Sequence, residues 1–287
     1  MNGLPFPIRP PSRAARTCPL GLRCVDAATG LTVTDDLTVF TRADAPATRR
    51  PDARLISAVP NRSGLQVFHG LPGLQVFEHD PADTRWETLA ARRTFVIEVN
   101  DRQQRYLPCQ FVVSAPTQGL ASLADGGSPT WVDAGTIPLF SSAARVAPVG
   151  VAVLRAELQV AATGAPAAWA LLEAAFSSQG ETRIVRALAD DQGRLALMFA
   201  YPEGPRRPGG ISPPPGGSGL AGATWPVVLR FYYTAEDQPG PVADYAQCLS
   251  QAPAEARAVS SPAQPVTDVT LPFGTELNLG VIELYPA

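Results

Sequence analysis

The sequence predicts an all-β protein made of two tandem antiparallel β-sandwiches, with an extended N-terminal arm and a C-terminal strand. Three observations lead there. Short runs of alternating apolar and polar residues, rich in Val, Ile, Leu and Phe, recur along the chain in the pattern of half-buried strands. Thirty prolines and 24 glycines among 287 residues place turns throughout and leave little room for long helices. Finally, Ala27-Ala28-Thr29-Gly30 recurs as Ala161-Ala162-Thr163-Gly164, each copy following a strand that contains Leu-Arg, and such self-similarity implies two related units.

Residues 1–17 carry prolines at positions 5, 7, 10 and 11 and read as an extended arm, poorly packed by itself and available to order on a partner. The first sandwich is expected over 18–115. Its strands are Gly21–Asp26, Leu37–Phe40, a repeated pair Gly64-Leu65-Gln66-Val67-Phe68 and Gly73-Leu74-Gln75-Val76-Phe77 around a Pro72-Gly73 turn, Phe95–Val99, and Tyr106–Val113. Phe95-Val96-Ile97-Glu98-Val99 is the clearest of these, while Pro108 belongs at an edge or bulge. Residues 116–149 read as a connector that wraps a domain or packs between two. Ala124–Pro129 has loop composition, and Trp131 and Ile137–Phe140 are apolar anchors.

The second sandwich is expected over 150–235, with strands at Val153–Val160, Trp169–Phe176, Thr182–Leu188, Arg194–Phe199 and Trp225–Tyr233. A flexible Pro/Gly loop interrupts it at 203–224, where five prolines and seven glycines leave too little apolar surface to order. Residues 236–287 hold a short helix near Val242–Leu249 and a last strand at Leu277–Leu284, pairing within the second sandwich or with a neighbouring subunit.

Composition removes several functions. All 23 basic residues are arginine and none is lysine. That excludes a P-loop lysine, a Schiff-base lysine, a kinase-type lysine and a Ser-x-x-Lys nucleophile. The net charge is −3 and the arginines are scattered, so the clustered positive charge that neutralises nucleic-acid phosphates is missing. Cys18, Cys24, Cys109 and Cys248 are too few for a disulfide scaffold, and no second close pair completes a zinc site with Cys18 and Cys24. They read as buried thiols, and His69 and His79 as ordinary polar histidines. A thiol–imidazole pair between Cys109 and either histidine has nothing local to orient it.

Gly216-Gly217-Ser218-Gly219 sits in the Pro/Gly loop, where no scaffold holds an oxyanion hole. Asp190-Asp191-Gln192-Gly193 begins like a calcium loop but lacks ligands across the next residues, so a tight turn between two strands is expected. No catalytic, cofactor-binding or metal-ligating residue is assigned.

The second unit resembles the carboxypeptidase regulatory-like, transthyretin-like family of Ig-like β-sandwiches. The resemblance rests on the strand entering Ala162-Thr163-Gly164-Ala165-Pro166, where that family has a T-G-x-P turn, and on Asp190–Leu195, which matches its D-x-x-G turn and following strand. The first unit, with Asp26–Gly30 and Tyr106-Leu107-Pro108, looks like a more divergent member. The resemblance implies sandwiches without an active site, serving folding, adhesion or assembly. The Lys–Asn isopeptide bonds that lock some related sandwiches are impossible in a chain without lysine.

The layout also resembles the carboxypeptidase regulatory-like proteins of phage-tail-like contractile injection systems. The resembling stretches are Leu22–Leu37, Val67–Leu74, Tyr106–Pro108, Pro138–Ser141, Ala165–Ala170 and Leu271–Gly274.

That resemblance implies a non-enzymatic structural subunit of such a particle, a cap or a baseplate/terminal component. Its partners would be other cap, tube, sheath or baseplate proteins, with symmetric oligomerisation in the assembly and no nucleic acid. The N-terminal prolines break the apolar run that a secretory signal needs, and no stretch is long and apolar enough to span a membrane. Assembly in the cytoplasm, with extracellular release as part of a particle, is the matching expectation. The alternative is a surface adhesin or carbohydrate-binding sandwich in which Trp86, Trp131, Trp169 and Trp225 stack on sugars, against the simpler reading of those tryptophans as core or interface residues.

Overall fold

The computed structural model describes residues 18–42, 55–78, 92–117, 136–178, 180–202, 222–234 and 240–286. The expected arm at 1–17, most of the loop at 203–224, and His79, Trp86 and Trp131 lie outside the described residues. Within them the chain is all-β, as the sequence predicts. The first unit supplies β1 (Leu20–Asp26), β2 (Leu37–Arg42), β3 (Leu55–Ser57), β4 (Val59–Pro60), β5 (Gln66–Phe68), β6 (Arg93–Asp101), β7 (Cys109–Ala115) and β8 (Thr136–Leu139). The remainder supplies β9 (Val151–Val160), β10 (Leu171–Ser178), β11 (Glu181–Leu188), β12 (Arg194–Ala200), β13 (Thr224–Tyr232), β14 (Ala243–Asp244), helix α1 (Tyr245–Leu249), β15 (Pro253–Ala258), β16 (Ser261–Pro265), β17 (Asp268–Pro272) and β18 (Leu277–Pro286).

Two sheets face each other in the first unit, in the orders β4-β5-β1-β8 and β14-β7-β6-β2-β3. Strand alternation decides what lies between them. Leu20, Leu22 and Cys24 of β1 meet Phe95, Ile97 and Val99 of β6 and Cys109, Phe111 and Val113 of β7 in one buried cluster. Each fully buried Leu, Ile or Phe there contributes about 1.5–3 kcal/mol relative to exposure.

The second unit is a seven-strand path, β11-β10-β13-β15-β18-β9-β12, with β16 added to β15 and β17 to β13. A bridge between Ala189 and Leu195 joins the end of β11 to the start of β12. Its core draws on alternate residues: Val227, Leu229 and Phe231 of β13, Leu172, Ala174 and Phe176 of β10, and Leu195, Leu197 and Phe199 of β12. Pairing is mostly antiparallel, but three pairs are parallel: β1 with β8, β7 with β14, and β9 with β18.

The two units repeat one local plan at an offset of 134 residues. Asp26 N–H donates to Leu31 O as Val160 N–H does to Ala165 O, and Gly30 N–H to Asp26 O as Gly164 N–H does to Val160 O. Cys24 O and Val33 N–H pair as Leu158 O and Ala167 N–H do. Both turns need a residue with positive φ, which Gly30 (71°) and Gly164 (67°) supply without steric cost. The parallel neighbour also recurs, since Ala27 N–H donates to Leu139 O of β8 and Ala161 N–H to Leu284 O of β18. Segment 116–149, expected as a connector, therefore contains the first unit's closing strand.

Two further expectations change. The second Gly-Leu-Gln-Val-Phe copy is not a strand: Gln75–Glu78 form a 3-10 turn. Leu71, Leu74 and Phe77 are spaced by three, which places them on one face of a three-residue helix, and all are buried in the first core. The second sandwich also extends past its expected end at 235, with the last strand pairing inside it, one of the two expected alternatives. Within 236–287, helix α1 and strand β14 join the first unit, while β15 and β18 are strands of the second.

Candidate functional site

A buried polar arrangement lies where the two units meet, and it begins with the turn after β1. Asp26 ends that strand with its carboxylate folded back on the turn, accepting Ala28 N–H on Oδ1 (2.9 Å) and Thr29 Oγ1 on Oδ2 (3.0 Å). Arg145 closes on the same carboxylate from the far end of the unit, 119 residues on. Its Nη1 and Nη2 donate to Oδ1 and Oδ2 at 2.9 and 2.7 Å, and Nη1 also donates to Ser141 Oγ at 2.8 Å. The pair is buried, Asp26 4% and Arg145 8% exposed. The guanidinium stacks over the Tyr106 ring at 4.7 Å.

Burial works against both charged forms here. The Arg145 hydrogen bonds, the Ala28 N–H and the guanidinium charge outweigh it and hold the Asp26 carboxyl below the usual carboxylate range. For Arg145, the hydrogen bonds and charge of Asp26 likewise outweigh burial and raise its pKa. A fork-to-fork pair of this kind is geometrically specific, and breaking one partner strands the other's charge.

The junction is strapped from the second unit as well. Arg155 of β9 donates through Nη1 to Ala143 O and through Nη2 to Arg145 O (3.0 Å), while its Nε pairs with Glu276 at 2.9 Å. Beside it, Ala28 packs with Val153, Ala196 and Met198 on the outer face of β9 and β12.

Trp169 forms the second contact between the units. It precedes β10, yet its side chain is buried, 2% exposed, in the first unit's core with Leu171 and Leu188. Its Nε1 donates to Gly240 O (3.2 Å), and its carbonyl accepts Gln251 Nε2 (3.0 Å). Its φ of 60° is uncommon for a bulky residue, and the surrounding bonds hold it there. Trp225 packs against Tyr201 and Phe273 at centroid distances of 5.5 and 6.3 Å. Neither tryptophan presents a face to a sugar, which removes them from the carbohydrate-binding alternative.

The thiols serve the core. Cys24, Cys109 and Cys248 are free and buried around Tyr245, whose hydroxyl donates to Pro138 O at 2.6 Å. Burial pushes the thiol of Cys109 up to about 12, that of Cys248 up to about 12, and that of Cys24 higher still. Protonated thiols of this kind are not nucleophiles. Cys109 lies against Tyr245, and one of its candidate histidine partners, His79, lies outside the described residues. Cys18 donates to Leu20 O and Phe68 O at 2.6 and 3.3 Å. His69 Nδ1 stands 3.7 Å from Glu78 Oε2, and Glu78 Oε1 accepts Gly70 N–H.

The Asp190 carboxylate is occupied by its own turn, accepting Gln192 and Arg194 N–H groups and the Arg194 Nε, so the tight turn is the correct reading. Gly193 (φ 76°) closes that turn where a Cβ would collide with Leu158 O. Among the described residues no group of three His, Cys, Asp or Glu side chains could hold a metal ion.

Sequence reasoning places Asp26 only at a strand end and turn, and does not single out Arg145. One signal was present: Arg145 is the only charged residue between Thr136 and Leu154, and an arginine alone in an apolar segment needs a partner.

No family model and no curated protein matches the chain. Among solved structures it is similar to the shaft pilin SpaA of Lactobacillus rhamnosus GG, at 10% identity over 94% of this chain and 98% of that one, with a TM-score of 0.23. A leucine-rich repeat protein from Bacteroides thetaiotaomicron matches at 10% identity over 92% of this chain and 25% of its own, TM-score 0.22. A putative adhesin from Bacteroides ovatus matches at 10% identity over 84% and 94%, TM-score 0.16. Likenesses at this level assign no role to the chain.

Proposed function

We propose that the chain is a non-enzymatic structural subunit of a phage-tail-like contractile injection particle, sited at one end as a cap or baseplate/terminal component that holds neighbouring subunits. The observation that carries this reading is the junction. The Asp26–Arg145 pair, the Arg155 strap and the buried Trp169 tie two β-sandwiches together, and a subunit that transmits force between neighbours benefits from having no loose joint. Among the described residues, the thiols of Cys24, Cys109 and Cys248 serve the core, and the carboxylates of Asp26 and Asp190 serve turns.

The resemblance across Leu22–Leu37, Val67–Leu74 and Leu271–Gly274 supplies the particle type. Partners are then other cap, tube, sheath or baseplate proteins, and assembly takes place in the cytoplasm. No described helix is long and apolar enough to cross a membrane.

The test is to isolate particles from cells expressing the chain and quantify their proteins by mass spectrometry. The reading expects the chain at fixed stoichiometry with sheath and tube proteins. Particles lacking it, with the chain recovered only free of them, would overturn the reading.

A further inference from the structure

Strand edges are where a β-protein offers unpaired backbone groups to another chain, and several edges among the described strands are short, proline-containing or buried. Strands β3, β4 and β14 have only three, two and two residues. Edge strand β8 contains Pro138, and β16 contains Pro262 and Pro265, each removing a donor. Strand β12 is buried along Leu195–Phe199.

β11 differs. It has eight residues and no proline, and it pairs along its whole length with β10 on one side. Among the described residues, β11 is the last strand of its path, and the backbone of Glu181–Val185 has no hydrogen-bonded strand on its other side. Glu181, Thr182, Arg183 and Ile184 are all exposed, Ile184 at 45%.

The sequence of this edge selects its occupant. In a two-fold antiparallel pairing one residue lies opposite its own copy, and its neighbours pair symmetrically about it. Centred on Thr182, the pairing sets Glu181 of each copy opposite Arg183 of the other, twice over, at the start of the strand beside the Gly180 turn. Centred on Arg183, it sets arginine against arginine. Centred on Ile184, it leaves Glu181 opposite Ala187 and Arg183 opposite Val185. Directly opposed unlike charges on one face stabilise a strand pair and like charges destabilise it. Neither Glu181 nor Arg183 forms an ion pair among the described residues. The hairpin that carries them projects beyond the buried half of the strand at Ala187 and Leu188.

We infer that the start of β11 is a self-complementary docking edge: two copies of this chain pair antiparallel about Thr182 through Glu181–Arg183, joining their β10–β11 hairpins edge to edge. This is independent of the particle reading, because it concerns what the free chain does in solution.

The test is sedimentation velocity of the full chain across a concentration series under reducing conditions, with three variants. The wild type is expected to form a dimer that weakens with salt. Glu181→Arg and Arg183→Glu each create two like-charge pairs and should raise the dimer dissociation constant by roughly tenfold or more. The double exchange Glu181→Arg/Arg183→Glu restores both pairs and should recover the dimer. Both substituted residues, Glu181 and Arg183, are exposed, and circular dichroism verifies that each variant keeps its fold. A wild type that stays monomeric overturns the inference. So does a dimer indifferent to the single changes, a double variant that fails to recover, or growth into open chains, which would mark the edge as pairing with a different strand.

Discussion

The turns after β1 and after the corresponding strand β9 have the same backbone bonds, but Asp26 stands in the first where Val160 stands in the second. Val160 packs into the second unit's own core. Asp26 instead carries a buried charge that needs Arg145 from the chain's return path. The same asymmetry runs through both units. The second core is built from strands of its own path. The first core is completed by Trp169, Leu171 and Leu188 on one side and by Tyr245, Cys248 and Leu249 of α1, all from later in the chain. Two units of one plan have thus diverged in autonomy. Among the described residues the second core draws on nothing before Ala152, whereas the first is completed by residues from later in the chain.

Substitutions should expose that dependence in graded fashion. Trp169→Ala removes the largest inserted side chain and should cost about 3–5 kcal/mol in guanidinium unfolding, with the loss falling on the first unit. A cost below about 1 kcal/mol would mean that Trp169 merely covers the core and does not complete it.

Arg145→Met should cost about 3 kcal/mol at neutral pH, because it leaves Asp26 buried and unpaired. Its pH dependence sharpens the point. The folded pKa of Asp26 is depressed, so its stabilisation is fully present above the unfolded value near 3.9 and is lost as pH falls through the lower folded value. The wild type should therefore lose stability as pH drops below about 4, and Arg145→Met should lose much of that slope. Equal acid sensitivity in both proteins would remove the pair from the account.

Thiol reactivity probes the same core without mutation. Cys24, Cys109 and Cys248 should resist alkylation in the native state and react only on opening, while half-buried Cys18 reacts first. Rapid labelling of Cys248 alone would show that α1 detaches from the first unit. The smallest effect belongs to the exposed edge. Ile184→Ser should alter the chain's folding stability by no more than about 0.5 kcal/mol, measured at a concentration where the chain is monomeric.

The strands that alternate cleanly were legible: β6 and β13 announce themselves through Phe95-Val96-Ile97 and Val227-Val228-Leu229, and the repeated Ala-Ala-Thr-Gly marks the same turn in both units. β8 was not, because Thr136-Ile137-Pro138-Leu139 is four residues long, contains a proline and follows a Gly/Ser-rich stretch. The Gln75–Glu78 turn was misread because Gln-Val-Phe suits a strand by propensity. The spacing of Leu71, Leu74 and Phe77 was the stronger signal, and their common burial overrides propensity. The helix at Tyr245–Leu249 was foreseen, but its place in the first core was not, since nothing local tells a helix which of two cores it will join. The Asp26–Arg145 pair was invisible for the same reason. Its partners are distant in sequence, and only the isolation of Arg145 in an apolar segment points to it.

The dependence of the first unit on the second is tested most directly by hydrogen exchange of the full chain, followed by mass spectrometry across a guanidinium series. The account predicts that amides of β1, β6 and β7 lose protection at or below the denaturant concentration that exposes β9, β10 and β12. Persistence of protection in β1, β6 and β7 after β9, β10 and β12 have exchanged would contradict it.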